Sequence, residues 1–202
     1  MSNLPGEPLS EGDGWIEVEE PECGTGRKVT FFWLIALVVL LIDQTSKAAA
    51  LAFLDRMHPF PVIPSLFELR LEFNKGAAFS LFVGGRWIFV AVSIAALFFL
   101  PLYLRSLFQA GETSWVYPVG IGLILGGAMG NALDRIFRHE GRVVDFFHAF
   151  WGRHSFPVFN VADSAITIGL FFLLMILFLP GLFAAGFSEK VEQDVADTVQ
   201  DR

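Results

Sequence analysis

Four long apolar runs organise this chain. They cover about residues 29–51, 87–107, 116–133 and 159–179, and each is close to the roughly 20 helical residues that cross a bilayer. The last run stops at Pro180-Gly181, a helix-terminating pair. Four spans predict that both chain ends lie on one side of the membrane. Arg27-Lys28 before the first run and Ala48-Ala49-Ala50 after it imitate a cleavable signal peptide. The acidic stretch ahead of the basic pair, and the polar set Asp43, Gln44, Thr45, Ser46 and Lys47, favour an uncleaved span instead. Between the first two runs the pattern changes to a period of two. Phe67, Leu69, Leu71 and Phe73 alternate with Glu68, Arg70, Glu72 and Asn74, which predicts a half-buried strand. Pro59, Pro61, Pro64 and Gly76 bracket it with turns.

Composition sharpens this picture. The 202 residues are 54% hydrophobic and 17% charged, against about 25% charged in an ordinary soluble domain. The formal net charge of −7 is carried by the ends. Residues 1–30 hold seven acids and two bases, and residues 188–202 hold five acids and two bases. The body between them is nearly neutral, with nine acids and ten bases. The chain therefore divides into a disordered acidic tail over 1–28, a membrane domain over 29–187 and a second acidic tail over 188–202. A basic nucleic-acid binder is excluded. So is a disulfide scaffold, because Cys23 is the only cysteine; it has no His or Cys neighbour and reads as inert. Orientation is contested. Arg27 and Lys28 favour a cytoplasmic N-terminus, but Arg56, Arg70, Lys75, Arg86, Arg135, Arg138, Arg142 and Arg153 crowd the linkers on the opposite side.

Ionisable groups within spans are expensive and commonly functional, and here they gather near one end of the bundle. Asp43 and Lys47 stand at i, i+4 in the favoured acid-then-base order. They fit either a structural pair, with Lys47 snorkelling outward, or part of a site. On the third span Gly122, Gly126 and Gly130 form a small-residue stripe that admits a close helix neighbour. Gly127, Asn131 and Arg135, with Asp134, turn that stripe polar at the helix end, which packing alone does not explain. Asp145 is set among apolar residues in Val143-Val144-Asp145-Phe146-Phe147, which raises a carboxyl pKa. Asn160, Asp163 and Thr167 share a helix face at the start of the fourth span. Singly, Asp145 or Asp163 is equally well read as a helix cap or an ion-pair partner. Two acids at one membrane depth suggest a pair that shares a proton, one acting as base on a water and the other as acid toward a scissile peptide. Such chemistry needs no metal and no cofactor. Other hydrolytic signatures are absent: there is no His-Glu-x-x-His, no Gly-x-Ser-x-Gly and no phosphate-binding glycine loop. His58, His139, His148 and His154 show no ligand spacing and read as loop or interface residues.

Five stretches together resemble one family. They are Asp43-Gln-Thr-Ser-Lys47, Phe73-Asn-Lys-Gly-Ala-Ala-Phe79, Gly126-Gly-Ala-Met-Gly-Asn-Ala-Leu-Asp-Arg135, Gly141-Arg-Val-Val-Asp-Phe146 and Phe156-Pro-Val-Phe-Asn-Val-Ala-Asp163. In this order the chain resembles the bacterial lipoprotein signal peptidases, signal peptidase II, over about residues 30–180. The resemblance implies an all-α inner-membrane protein of four helices with a small extracytoplasmic β-rich cradle, into which the strand at 67–73 fits. It implies an aspartic endopeptidase that cuts prolipoprotein signal peptides before a diacylglyceryl-modified cysteine. Asp145 and Asp163 would be catalytic. Asp43, Lys47, Asn74, Asn131, Arg135, Asn160 and Ala162 would line or support the site. Lipid-modified prolipoproteins and membrane lipids are the implied partners, globomycin the implied inhibitor, and a monomer the expected state. Both termini would be cytoplasmic, with the site near the outer face, against the Lys/Arg count. Arginines at 138, 142 and 153 would then meet anionic headgroups. Two departures stand out: a slightly longer stretch at Ile136-Phe-Arg-His-Glu140 and an unusually long acidic N-terminal tail. The rival readings are a small transporter or channel subunit with an aspartate relay through Asp43, Asp145 and Asp163, and a Mg²⁺-dependent membrane transferase. The strand-bearing linker and the lack of inverted repeats weigh against the first, and the scattered acids against the second.

Overall fold

The computed structural model of the chain describes residues 22–75 and 85–179. Both ends of the chain, including the acidic tail at 188–202 and most of the one at 1–28, lie outside the described residues, as do residues 76–84 of the Phe73–Phe79 motif. Four helices, α1 (Glu22–Phe53), α2 (Arg86–Gln109), α3 (Val116–Phe137) and α4 (Val161–Phe178), account for the four apolar runs. All four are long and apolar enough to cross a membrane. Helix α1 starts at Glu22, so residues 22–28, assigned to the tail from composition, are already helical.

Helix α3 is the centre of the bundle: it packs against α1, α4 and α2, whereas α1 and α2 hardly meet. Its glycines make this possible. A methyl built on Gly126 would sit 2.6 Å from the Ala36 carbonyl oxygen, and one on Gly130 would sit 2.5 Å from the Asp43 carboxylate. The adjacent Gly127 instead meets the backbone of Ala162 on α4. The stripe Gly122, Gly126 and Gly130 thus admits one close neighbour, α1, as the spacing predicts, and Gly127 on an adjoining face admits α4 as a second. Phe32 and Ala36 of α1, Leu104 of α2, and Ile121 and Leu125 of α3 close the apolar core between these helices. The other faces of α2 and α4 present exposed apolar side chains such as Trp87, Phe98, Phe99, Phe171 and Leu177, as lipid-facing surfaces do.

Beyond one end of the bundle lies a four-stranded antiparallel sheet in the order β1 (Phe60–Ile63), β2 (Phe67–Asn74), β3 (Val143–Trp151) and β4 (His154–Ser155). The strand read from alternation at 67–73 is β2. It pairs with β3 so that Glu72 lies opposite Asp145 and Phe73 opposite Val144, after an irregularity between Leu69 and Glu72. One face of this pair, Leu71, Val144 and Phe146, packs onto Ala50 and Leu54 at the end of α1. His148 does not behave as a loop histidine: it is buried on β3, with Nδ1 2.9 Å from Glu68 Oε1 and Nε2 2.7 Å from Ser155 Oγ. The side chain laces β2, β3 and β4 together. Phe60, Val62 and Ile63 of β1, with Leu66, Trp151 and Phe156, leave an exposed apolar rim on the sheet. A rim of that kind marks a surface that meets lipid or a partner.

Candidate active site

The site forms where the sheet meets the ends of α1, α3 and α4. Strand β3 is tied directly to the start of α4: the amides of Phe146 and Phe147 donate to the Phe159 carbonyl at 3.1 and 2.8 Å, and Phe159 N–H returns to Phe147 at 3.0 Å. This bridge brings Asp145 beside the first turn of α4. Asn160 caps that helix. Its Oδ1 accepts the Asp163 amide at 3.0 Å, while Asp163 Oδ2 accepts the Asn160 amide at 3.2 Å. The result is a reciprocal capping box. The helix-cap reading of Asp163 is therefore correct, and it coexists with contacts into the site.

Two amides join the aspartates. Asn160 Nδ2 donates to Asp145 Oδ1 at 2.6 Å and to Asn131 Oδ1 at 3.1 Å. Asn131 Nδ2 donates to Asp163 Oδ1 at 2.8 Å. On the other side, Asn74 Nδ2 donates to Asp145 Oδ2 at 3.1 Å. The amide orientations follow from their neighbours. Asn131 must turn its oxygen to Lys47, which can only donate, and Asn160 must turn its oxygen to the Asp163 amide. Asp145 is 3% exposed. Burial pushes its carboxyl up to about 7, the Asp163 carboxylate adds to the rise, and Asn74, Asn160 and Lys47 oppose it.

Behind this pair lies a second cluster. Lys47 does not snorkel: it is fully buried, with Nζ 2.8 Å from Asp43 Oδ2, 3.0 Å from Asp134 Oδ2 and 2.9 Å from Asn131 Oδ1. An ammonium has three donors, and all three are used. Asp43 is fully buried too, and its Oδ1 accepts the Ala162 amide of α4 at 3.0 Å. Its negative charge thus faces the positive end of that helix. Asp134 accepts the Val144 amide at 3.1 Å and Arg138 Nε at 2.5 Å. Gln44 completes the contact by donating to Asp43 at 3.1 Å and to the Gly130 carbonyl at 3.0 Å. Arg135 sits apart from these bonds. It donates to the Asn131 carbonyl at 3.2 Å and lies 4.7 Å from the centre of the Phe89 ring on α2.

The structure thus gathers Asp43, Lys47, Asn74, Asn131, Asn160, Ala162, Asp145 and Asp163 into one hydrogen-bonded set, with Arg135 at its edge. Asp134 and Gln44 belong to the same set but were not picked out as site residues in the sequence. The signal for Asp134 was present: it lies three residues after Asn131 and four before Arg138, on the polar end of α3. Thr167 uses its hydroxyl on the Asp163 carbonyl of its own helix. Among the described residues, no three His, Cys, Asp or Glu side chains are grouped to hold a metal ion.

Four helices able to cross a membrane, with buried Asp145 and half-buried Asp163 joined through two amides at one end, define a multi-pass membrane protein with a polar site at the end of its bundle. The family described as signal peptidase (SPase) II matches residues 35–179, and the chain belongs to this family. It is 39% identical over 150 residues to a lipoprotein signal peptidase of Geobacillus kaustophilus (strain HTA426), covering 74% of this chain and 94% of the relative. It is 38% identical over 144 residues to one from Anoxybacillus flavithermus (strain DSM 21510 / WK1), covering 71% and 83%. Among solved structures, a bacterial membrane enzyme obtained by the in meso method at 2.3 Å superposes with a TM-score of 0.64 at 30% identity, covering 76% of this chain and 88% of that one.

Proposed function

We propose that this protein removes signal peptides from prolipoproteins, cutting before a lipid-modified cysteine, and that Asp145 and Asp163 activate the attacking water. The observation that carries the proposal is the buried Asp145 carboxyl, linked to Asp163 through the Asn160 and Asn131 amides. Burial and the neighbouring Asp163 charge favour the protonated form of Asp145, whose carboxyl is raised to about 7. Asp145 keeps that proton, and Asp163 takes one from water as it attacks the scissile carbonyl. The tetrahedral intermediate collapses as its oxyanion re-forms the carbonyl and the C–N bond breaks. Asp163 passes the proton it took from water to the leaving amine, which returns Asp163 to its carboxylate form and leaves Asp145 protonated as at the start. Asn131 and Asn160 hold the carboxylates at fixed orientation, and Asn74 holds Asp145 from the sheet side. Lys47 polarises the Asn131 amide that faces Asp163. No step in this scheme requires a metal.

Purified protein should cleave a diacylglyceryl-modified prolipoprotein, be blocked by globomycin and be unaffected by EDTA. Its activity should fall on the alkaline side through a single ionisation near pH 7, because the acid form of Asp145 is lost as pH rises through that value. Loss of activity in EDTA, or an activity independent of pH between about 5 and 9, would overturn the scheme.

The same reading puts the sheet and site at the outer face of the inner membrane, with both termini in the cytoplasm. A cysteine introduced at Glu140, which is exposed at the sheet end, should react with an impermeant thiol reagent added from outside. Labelling only after the inner face is opened would reverse this orientation.

A further inference from the structure

A second feature at the sheet end is separate from the carboxylates. A cavity of about 470 Å³ is lined by Arg56, Phe73, Phe137, Arg138, His139 and Arg142. It lies behind β2 and β3 relative to the candidate active site. Side chains alternate along a strand, and Phe73 pairs with Val144 whereas Asp145 pairs with Glu72. Phe73 therefore faces away from the carboxylates. Arg142, one residue before β3, shares the parity of Val144. Part of the lining comes from the longer stretch at 136–140.

The cavity is cationic and incompletely neutralised. Arg138 is held by Asp134, and Arg142 by Glu140, which also accepts Lys75 at 2.7 Å. Asp134 and Glu140 are thus each shared with a further cation, since Lys47 also bonds Asp134. Arg56 is exposed and stacks 5.1 Å above the Phe73 ring, and none of the salt bridges among the described residues involves it. Arg142 Nε is buried with no hydrogen-bond partner among the described residues. A buried donor without an acceptor is costly, so the site as built calls for an anionic acceptor. Lys75 and Arg142 also hold the Glu140 carboxyl down to about 2, so Glu140 stays anionic across physiological pH and its one charge answers two cations. The cavity sits at the ends of two spans. Phe137 on its wall is 77% exposed, and Phe53, just before Arg56, is 86% exposed. Large apolar rings exposed at span ends mark a surface that meets lipid chains.

We propose that this cavity binds the phosphodiester of an anionic phospholipid, with Phe137 and Phe53 against its acyl chains. Arginine forks match phosphate oxygens, and basic pockets at span ends are suited to anionic headgroups. The ligand chemistry is a phosphate group bearing a single negative charge, and the exposed aromatics select the lipid over a free ion. The site also gives a role to arginines that contradict the charge rule for orientation.

The test uses the full chain in detergent, with lipid retention followed by native mass spectrometry and unfolding temperature measured in parallel. Phosphatidylglycerol should be retained at least about tenfold more than phosphatidylcholine, and should raise the unfolding temperature where phosphatidylcholine does not. Arg56→Gln and Arg142→Gln should each abolish this preference. Arg56→Lys should keep part of it, and Arg153→Gln, at the distant β3–β4 turn, should keep all of it. Should Arg142→Gln fail to fold, the exposed Arg56 series decides alone. Equal retention of the two lipids, or undiminished preference in Arg56→Gln, overturns the proposal. Displacement of the lipid by millimolar inorganic phosphate would assign the cavity to the free ion and overturn it as well.

Discussion

Asp145→Asn and Asp163→Asn are each expected to lower cleavage of a lipid-modified prolipoprotein by at least about 10³-fold, in the range that loss of a positioned acid or base produces. The two variants differ in what else they disturb. Asp145 receives one amide donor on each oxygen, from Asn160 and Asn74. An asparagine there keeps its oxygen toward Asn160, whose orientation is locked by the Asp163 amide. Its new NH₂ then faces Asn74, which must turn over. Asp163 offers no such relief, because the donors on its two oxygens are the Asn131 amide and the Asn160 backbone. An NH₂ at that position opposes one of them and weakens the cap of α4, at a cost of about 1–2 kcal/mol. Both variants should therefore be inactive, but only Asp163→Asn should also unfold at lower temperature. The measurement is single-turnover cleavage beside a thermal melt in detergent. Activity within tenfold of the parent in either variant would remove that aspartate from the chemistry.

The second large effect concerns stability. Lys47→Met should cost about 3–5 kcal/mol, the usual result of removing one member of a buried ionic cluster. Methionine fits the volume but leaves the buried Asp43 charge with no cation, Asp134 with Arg138 alone, and the Asn131 oxygen with only the Asn160 amide. A combined Lys47→Met, Asp43→Asn variant should regain much of the loss, because the uncompensated charge is gone. Denaturant or thermal unfolding of the single and double variants checks this. If Lys47→Met unfolds like the parent, the cluster does not hold the helices together.

The spans were legible because an apolar run near 20 residues has few other solutions. Strand β2 was legible because its one buried face imposes alternation. Strand β3 was not: Val143, Val144, Asp145 and Phe146 are all buried, so both faces are covered and the period disappears. The run then looks like any short apolar segment, and only the acid within it drew notice. Strand β1, with Pro61 and an exposed face, carries no pattern either. The chemistry was partly legible for a related reason. Asp145 and Asp163 stand out as charges among apolar residues, but neither sequence position says that Asn131 and Asn160 link them. The snorkelling alternative for Lys47 follows from its place near a helix end. What it lacked was Asp134, which lies 87 residues on and supplies the second carboxylate that makes burial tolerable.

The central place of α3 bears on how the protein is made. Helices enter the membrane from the N-terminus onward, so α1 and α2 arrive first, yet they hardly touch each other. Until α3 follows, Lys47 has Asp43 as its only partner in the cluster, and the groove that α1 offers to Gly126 and Gly130 stays filled with lipid. The first half of the chain is thus an incomplete intermediate that carries an intramembrane ion pair and no docking partner. Commitment to the final arrangement therefore waits for the third and fourth helices.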